Sequence, residues 1–297
     1  LHQRGASRAA REAALSRLDP RALLLVFARR FAPYKRATLI LSDPNRLAAL
    51  LQQPDRPILL VFAGKAHPED VWGQELIQTI TTAADDPRFA GRLLFLEDYD
   101  LGLARALVQG ADVWLNTPRR PHEACGTSGQ KALVNATLNL SVADGWWSEA
   151  ADDRVGWTIG PTLPPQALDE TRLDEADAES LYATLEERVV PLFFDRDTNG
   201  LPRGWIARAK LAVKTLAPHF NADRMVREYV NTAYLPAAAR GAELSRKQAA
   251  LARRLADWKR TIPTRFATVR LLDIRVEGPS GDAIAIGHPL TVNVRLD

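Results

Sequence analysis

The stretch 122–136, HEACGTSGQKALVNA, sets two glycines, two hydroxyls and one amine close together. Gly126 and Gly129 allow backbone conformations or close approaches that a Cβ would hinder. Thr127 and Ser128 are placed to cap a helix whose free N–H groups favour a phosphate or another anion. Lys131 follows about one helical turn later, on a face read as looking into the core. A buried amine is costly unless it is paired, neutralised or covalently modified, and condensation with a carbonyl removes much of that cost. A lysine snorkelling to the surface is the competing reading. Neither the P-loop pattern G-x-x-x-x-G-K-[ST] nor the dinucleotide pattern G-x-G-x-x-G is matched.

Three further stretches carry polar groups where ligands could lie. In ARRFAPYKRA (28–37), Arg29, Arg30, Lys35 and Arg36 follow an apolar run and precede a helix start, a placement that suits an anion, with arginine adding bidentate contacts. A solvated basic turn is the alternative, and Arg36 fits a solvated face most readily. In FAGKAHPED (62–70), Gly64 permits a tight turn, and Lys65 either lines the same anionic pocket or is a surface lysine. His67 is read as a loop residue or a general acid. In FLEDYD (95–100), Tyr99 can stack on a cofactor or simply pack, while Glu97 and Asp98 form an acid–base pair or answer the basic cluster electrostatically.

These stretches need a scaffold that gathers them. Short apolar runs at 21–28, 57–64, 92–98, 112–117, 139–145 and 155–160 alternate with amphipathic segments such as 68–85 and 101–111. That alternation predicts an α/β fold: a doubly wound, Rossmann-like parallel sheet with ligands beyond the carboxyl ends of its strands. A helix is predicted over 6–18, and amphipathic helices over 174–194 and 201–230 finish the domain. A helical connector is expected next, and then a period-two pattern from Arg265 that reads as a β-hairpin opening a small β domain. The expected boundaries are 1–235, 236–263 and 264–297.

A 297-residue chain with 46% hydrophobic and 25% charged residues can bury a substantial core. The net charge of +3, with cations and anions interleaved, argues against a nucleic-acid partner. Cys125 is the single cysteine, so no intrachain disulfide or cysteine metal cluster can form, and no metal site is expected. No apolar run spans a bilayer and the first residues lack a signal-peptide core, so a cytoplasmic location is the default expectation. The missing initiator Met and the strand-like final residues lead to the expectation of a fragment.

In order, FARRFAPYKRA, FAGKAHP, FLEDYDLGLARALVQGADVWLNTPRRP, EACGTSGQKALVN and LSVADGWW resemble the C-terminal domain of α-glucan (glycogen/maltodextrin) phosphorylases, nearest the shorter prokaryotic branch, over residues from about 20 to about 235. The resemblance implies the cofactor-carrying half of a two-domain GT-B glycosyltransferase. The chain is then inactive alone, because an absent N-terminal domain completes the cleft. It implies pyridoxal 5′-phosphate joined to Lys131 as a Schiff base, with Thr127 and Ser128 at its phosphate and Arg29 and Tyr99 lining it. Glu123, with the backbone of Cys125 and Gly126, matches the contacts to glucose hydroxyls. Arg30 and Lys35 match the clamps on the substrate and cofactor phosphates. The implied reaction is reversible phosphorolysis of α-1,4-glucan to glucose 1-phosphate, with inorganic phosphate as co-substrate. A homo-oligomer is compatible with it.

Some positions depart from the family pattern. Cys125 stands where serine is usual, and Gln130 and Ala136 replace a common Met and Gly, both read as packing changes. Asp100 replaces a basic residue of the long enzymes, and Ala32 a histidine. Two rival readings stay open: a nucleotide-sugar glycosyltransferase of the same architecture, and a non-catalytic glucan-binding module.

Overall fold

The computed structural model describes residues 18–89, 91–161, 169–277 and 291–297. The helix expected over 6–18 therefore lies, apart from Leu18, outside the described residues. By its internal contacts the chain divides into two compact units, Leu1–Asn221 and Ala222–Asp297.

The first unit is built on a six-stranded sheet of order β3-β2-β1-β4-β5-β6, with every neighbouring pair parallel. Its strands are β1 (Leu23–Ala28), β2 (Ile58–Ala63), β3 (Leu93–Leu96), β4 (Val113–Asn116), β5 (Leu138–Val142) and β6 (Gly156–Ile159). This is the doubly wound α/β arrangement that the alternation of apolar runs predicts, because a parallel sheet buried on both faces needs near-continuous hydrophobic strands. In β1, Leu23, Leu25 and Phe27 join one core cluster while Val26 and Ala28 join the other. That division follows from side chains alternating across a strand. The strand order reverses between β1 and β4, which opens the ligand crevice of such sheets beyond their carboxyl ends.

Helices α1 (Pro44–Leu51), α2 (Val71–Ala84), α3 (Leu101–Gly110) and α4 (Thr127–Val134) connect the strands, and α5 (Trp147–Ala150) adds one turn after β5. A long segment follows β6: α6 (Glu170–Thr184) runs through a wider π-helical turn at Leu185–Val189 into α7 (Val190–Phe194), and α8 (Arg203–Leu216) follows. The acids Asp43, Asp70, Asp100 and Asp169 cap α1, α2, α3 and α6, each side chain accepting a backbone N–H of the first turn at 2.7–2.9 Å. Asp100 thus has a local structural reason, as the cap of α3, for standing where a basic residue was the comparison.

The second unit comprises α9 (Ala222–Tyr229), a π-helical turn at Val230–Tyr234, α10 (Leu235–Phe266) and the antiparallel pair β7 (Leu271–Glu277) and β8 (Thr291–Leu296). Helix α10 is two helical stretches, because the backbone leaves helical values at Arg246, Lys247, Gln248 and Ala249. No helix among the described residues is long and apolar enough to cross a membrane.

Ala136 corrects a sequence reading. It adopts φ 64° directly after Asn135 closes α4. What this position asks of its residue is a left-handed backbone, which suits glycine, and not a packing change. An L-residue in this region loses about 1–2 kcal/mol, part of which a glycine returns as unfolded-chain entropy. Ala136→Gly is therefore expected to stabilise the chain by about 0.5–1 kcal/mol in urea unfolding, where no change or a loss would contradict the assignment.

Candidate active site

The site begins where β1 ends. Past Ala28 the ladder with β2 continues into the loops: the Arg29 N–H donates to Ala63 O and the Phe31 N–H to Lys65 O, both at 3.0 Å. A Cβ on Gly64 would lie 2.0 Å from the Arg29 carbonyl oxygen, so the close approach of the two loops requires glycine. The chain then makes a 3₁₀ turn at Pro33–Lys35 and passes through Arg36 at φ 47°. These constraints turn the Arg29 and Lys35 side chains to the same acid, Glu123, in the loop between β4 and α4.

The Glu123 Oε2 accepts from Arg29 Nη2 at 3.0 Å and from Lys35 Nζ. All three side chains are 8% exposed, so the group is desolvated. Burial pulls the Arg29 guanidinium below its usual pKa, and the Glu123 carboxylate opposes that shift. Lys35 Nζ also lies 4.5 Å from the centre of the Tyr34 ring, a cation–π contact. Tyr99 is half-buried. Burial raises its phenol pKa, and the nearby Arg29 charge pulls it back. One carboxylate between two buried cations leaves a net positive charge that an anion would offset.

Further polar side chains, absent from the sequence reading, hold this group. Arg29 Nη1 donates to Asn116 Oδ1, Asn116 Nδ2 donates to Ser141 Oγ at 2.9 Å, and the Ser141 hydroxyl donates to Val142 O at 2.8 Å. The chain of bonds runs from β5 through β4 to the end of β1. Its signal in the sequence was polar residues inside otherwise apolar strands, since Asn116, Asn139 and Ser141 are all buried. Arg29 Nε has no acceptor among the described residues.

The turn before α4 differs from its prediction. Gly126, at φ 87°, is the residue that opens the helix, and no side chain caps it. Thr127 and Ser128 are already helical, and Ser128 Oγ instead accepts from Trp114 Nε1 at 3.3 Å. The first turn of α4 is thereby left open to an anion at the positive end of the helix dipole. Lys131 also differs: Gly129, Ala132 and Leu133 form the buried face of α4, whereas Lys131 is exposed. Its amine needs no buried partner and is accessible to a carbonyl.

Arg36 is not on a solvated face. It is 5% exposed, and its guanidinium donates to Asp174 and Asp177 at 2.6 Å each and to the Thr117 and Pro118 carbonyls at 3.0 and 2.9 Å. Asp177, fully buried, also accepts from Arg120 at 2.7 Å. This network fastens the loops after β1 and β4 to α6 and leaves Arg36 no freedom to meet a ligand. Arg30 and Lys65 are exposed and make no ion pair among the described residues. Glu97 and Asp98 lie at the surface, and His67 accepts the Glu69 N–H at 3.2 Å as a loop residue. The Cys125 thiol is exposed, with Gln130 Nε2 at 3.6 Å, while its carbonyl accepts the Trp146 N–H at 2.9 Å. The described residues contain no group of three or more His, Cys, Asp or Glu arranged to hold a metal.

A family profile described as Carbohydrate phosphorylase matches residues 3–156. Glycogen phosphorylase of Mycobacterium bovis is 43% identical over 295 residues, 99% of this chain and 34% of the relative. Maltodextrin phosphorylase of Thermococcus litoralis is 42% identical over 277 residues, 93% of this chain and 32% of the relative. Glycogen phosphorylase of Aquifex aeolicus is 46% identical over 217 residues, 73% of this chain and 31% of the relative. The chain therefore spans about a third of the length of these curated relatives.

The cluster itself makes a prediction. Glu123→Gln keeps the side-chain shape but leaves Arg29 and Lys35 buried without a countercharge, a loss of about 3 kcal/mol in thermal or urea unfolding. Inorganic phosphate is expected to restore more stability to the variant than it adds to the unmutated chain. Equal shifts would show that no anion enters the cluster.

Proposed function

Because this chain belongs to the carbohydrate phosphorylase family, we propose that it is the cofactor-carrying, GT-B-type half of an α-glucan phosphorylase that converts glucan ends and inorganic phosphate reversibly to glucose 1-phosphate. The observation that carries the reading is the uncapped start of α4, bearing the exposed amine of Lys131, in the loop that also supplies Glu123 to two buried cations. The proposed arrangement extends over residues 1–235, with 236–263 as connector and 264–297 as a small β segment. The rest of the cleft would come from a counterpart of the part of the relatives' length that lies outside the match.

Pyridoxal 5′-phosphate fits the residues present. Lys131 offers a free amine for its aldehyde, and Tyr99 and Arg29 offer a ring face and a charge beside it. The open first turn of α4 at Thr127 and Ser128 offers backbone N–H groups for its phosphate. When bound, this cofactor supplies a phosphate monoester whose second pKa near 6 lets it exchange a proton with the substrate phosphate at neutral pH.

This chain's own side chains would do the electrostatic and steric work. Arg30, exposed and without an ion pair among the described residues, and Lys35, whose ammonium keeps donors beyond the one given to Glu123, offset the repulsion between two close phosphates. Inorganic phosphate then protonates the departing glycosidic oxygen and stabilises the cationic sugar as an ion pair. Glu123 keeps acceptor capacity for hydroxyls of the terminal glucose, and the backbone N–H groups of Cys125 and Gly126 donate to the same sugar. On this reading the exposed Cys125 thiol takes no part, which makes cysteine a mild replacement for serine. Cytoplasmic glucan metabolism is the setting that the reading implies.

The test is Lys131→Ala in the complete enzyme. Cofactor absorbance and borohydride-trapped label at residue 131 are expected to vanish, and phosphorolysis to fall by at least about a thousandfold. Normal phosphorolysis by that variant would sink the assignment. A cofactor-free protein that still bound maltodextrin would favour a glucan-binding module instead.

A further inference from the structure

We propose that Asp144 is a positioning residue for the sugar-recognition turn, an inference that rests on the phosphorylase reading of Glu123. Asp144 lies in the loop after β5 and is 8% exposed. Its Oδ2 accepts the Glu123 backbone N–H at 2.8 Å, and its Oδ1 accepts the Gly145 N–H at 2.9 Å. No cation pairs with it among the described residues, so its charge serves backbone amides. A carboxylate bound to amides in a dry setting makes a strong, directional hydrogen bond.

Two neighbours complete the restraint. The Trp146 N–H donates to the Cys125 carbonyl at 2.9 Å. Gly145 sits at φ 55°, and a Cβ there would lie 2.5 Å from the Cys125 oxygen and 3.1 Å from Glu123 Cγ. The segment from Asp144 to Trp146 therefore holds the turn at both of its ends, at the amide of Glu123 and the carbonyl of Cys125. The Arg29 and Lys35 contacts fix only the tip of the Glu123 side chain. Asp144 fixes the backbone from which that side chain and the amides of Cys125 and Gly126 project. Two anchors on one residue define its carboxylate position much more narrowly than either does alone.

The experiment is a double-mutant cycle of Asp144→Ala and Glu123→Gln in the complete enzyme, reading kcat and KM for glucose 1-phosphate in chain extension, with Asp144→Asn as the conservative variant. D144A is expected to lower kcat/KM by about a hundredfold, the cost of a misplacement of about 1 Å in a binding group. It should retain its cofactor absorbance. D144N keeps a carbonyl oxygen for the Glu123 amide and is expected to recover most of the loss. In the E123Q background D144A is expected to cost less than about tenfold, because the carboxylate that Asp144 positions is already gone and only the Cys125 and Gly126 amides are left to misplace. Penalties that multiply independently, or a D144A loss tracking its fall in Tm with no rescue by D144N, would overturn the inference while leaving the phosphorylase reading intact. Absence of phosphorolysis in the unmutated complete enzyme would overturn the reading, and this inference with it.

Discussion

One carboxylate shared by two buried cations sets the terms for the whole carboxyl edge of this sheet. Glu123 meets Arg29 and Lys35 in a setting with little water. Such a group survives only when its geometry is good and most of its remaining donors are satisfied. The surrounding features follow from that requirement. Gly64 lets the loops after β1 and β2 approach closely enough to fix Arg29, Asn116 takes its second nitrogen, and the 3₁₀ turn presents Lys35. Each comes from a different strand end, which is why a doubly wound sheet, whose strand ends converge at the reversal of order, is the scaffold that can assemble them.

A second set of charges lies beside the first and does the opposite job. Arg36, one residue from Lys35, is fully occupied by Asp174, Asp177 and two carbonyls. Adjacent residues are thus divided between an anchored cation that holds the loop to α6 and one whose acid partner it shares with another cation. The division explains how a cluster with excess positive charge keeps its shape: the loop carrying Lys35 is fixed from the far side by a network whose charges are matched.

The sheet was legible because buried parallel strands must be apolar throughout. The runs around Leu25, Leu60 and Leu140 have no other economical reading. Asp caps were legible in principle at Asp43, Asp70, Asp100 and Asp169, each three residues before the amide it accepts. Arg29, Lys35 and Glu123 were singled out in the sequence, but spacing alone could not say that they meet, because 94 positions separate Arg29 from Glu123. The burial of Arg36 was illegible for the same reason, since Asp177 lies 141 residues away. Lys131 was placed on the wrong face because a short helix with small residues gives its rotation little hydrophobic definition. Asp144 went unread because its work is done on a backbone amide, which no side-chain pattern records.

The open start of α4 has a consequence for how this sequence can change. Where α1, α2, α3 and α6 each begin with an aspartate cap, α4 begins with a glycine in the left-handed region and no cap at all. The acidic cap used elsewhere in this fold cannot be adopted there without strain, because Gly126 sits at φ 87°, whereas the capping aspartates all have negative φ. At this helix it would set a permanent negative charge against the unsatisfied amides and compete with any anionic ligand. Backbone strain and ligand affinity therefore act in the same direction at residue 126: the left-handed glycine that opens the helix also keeps a capping acid out of the place where an anion would sit.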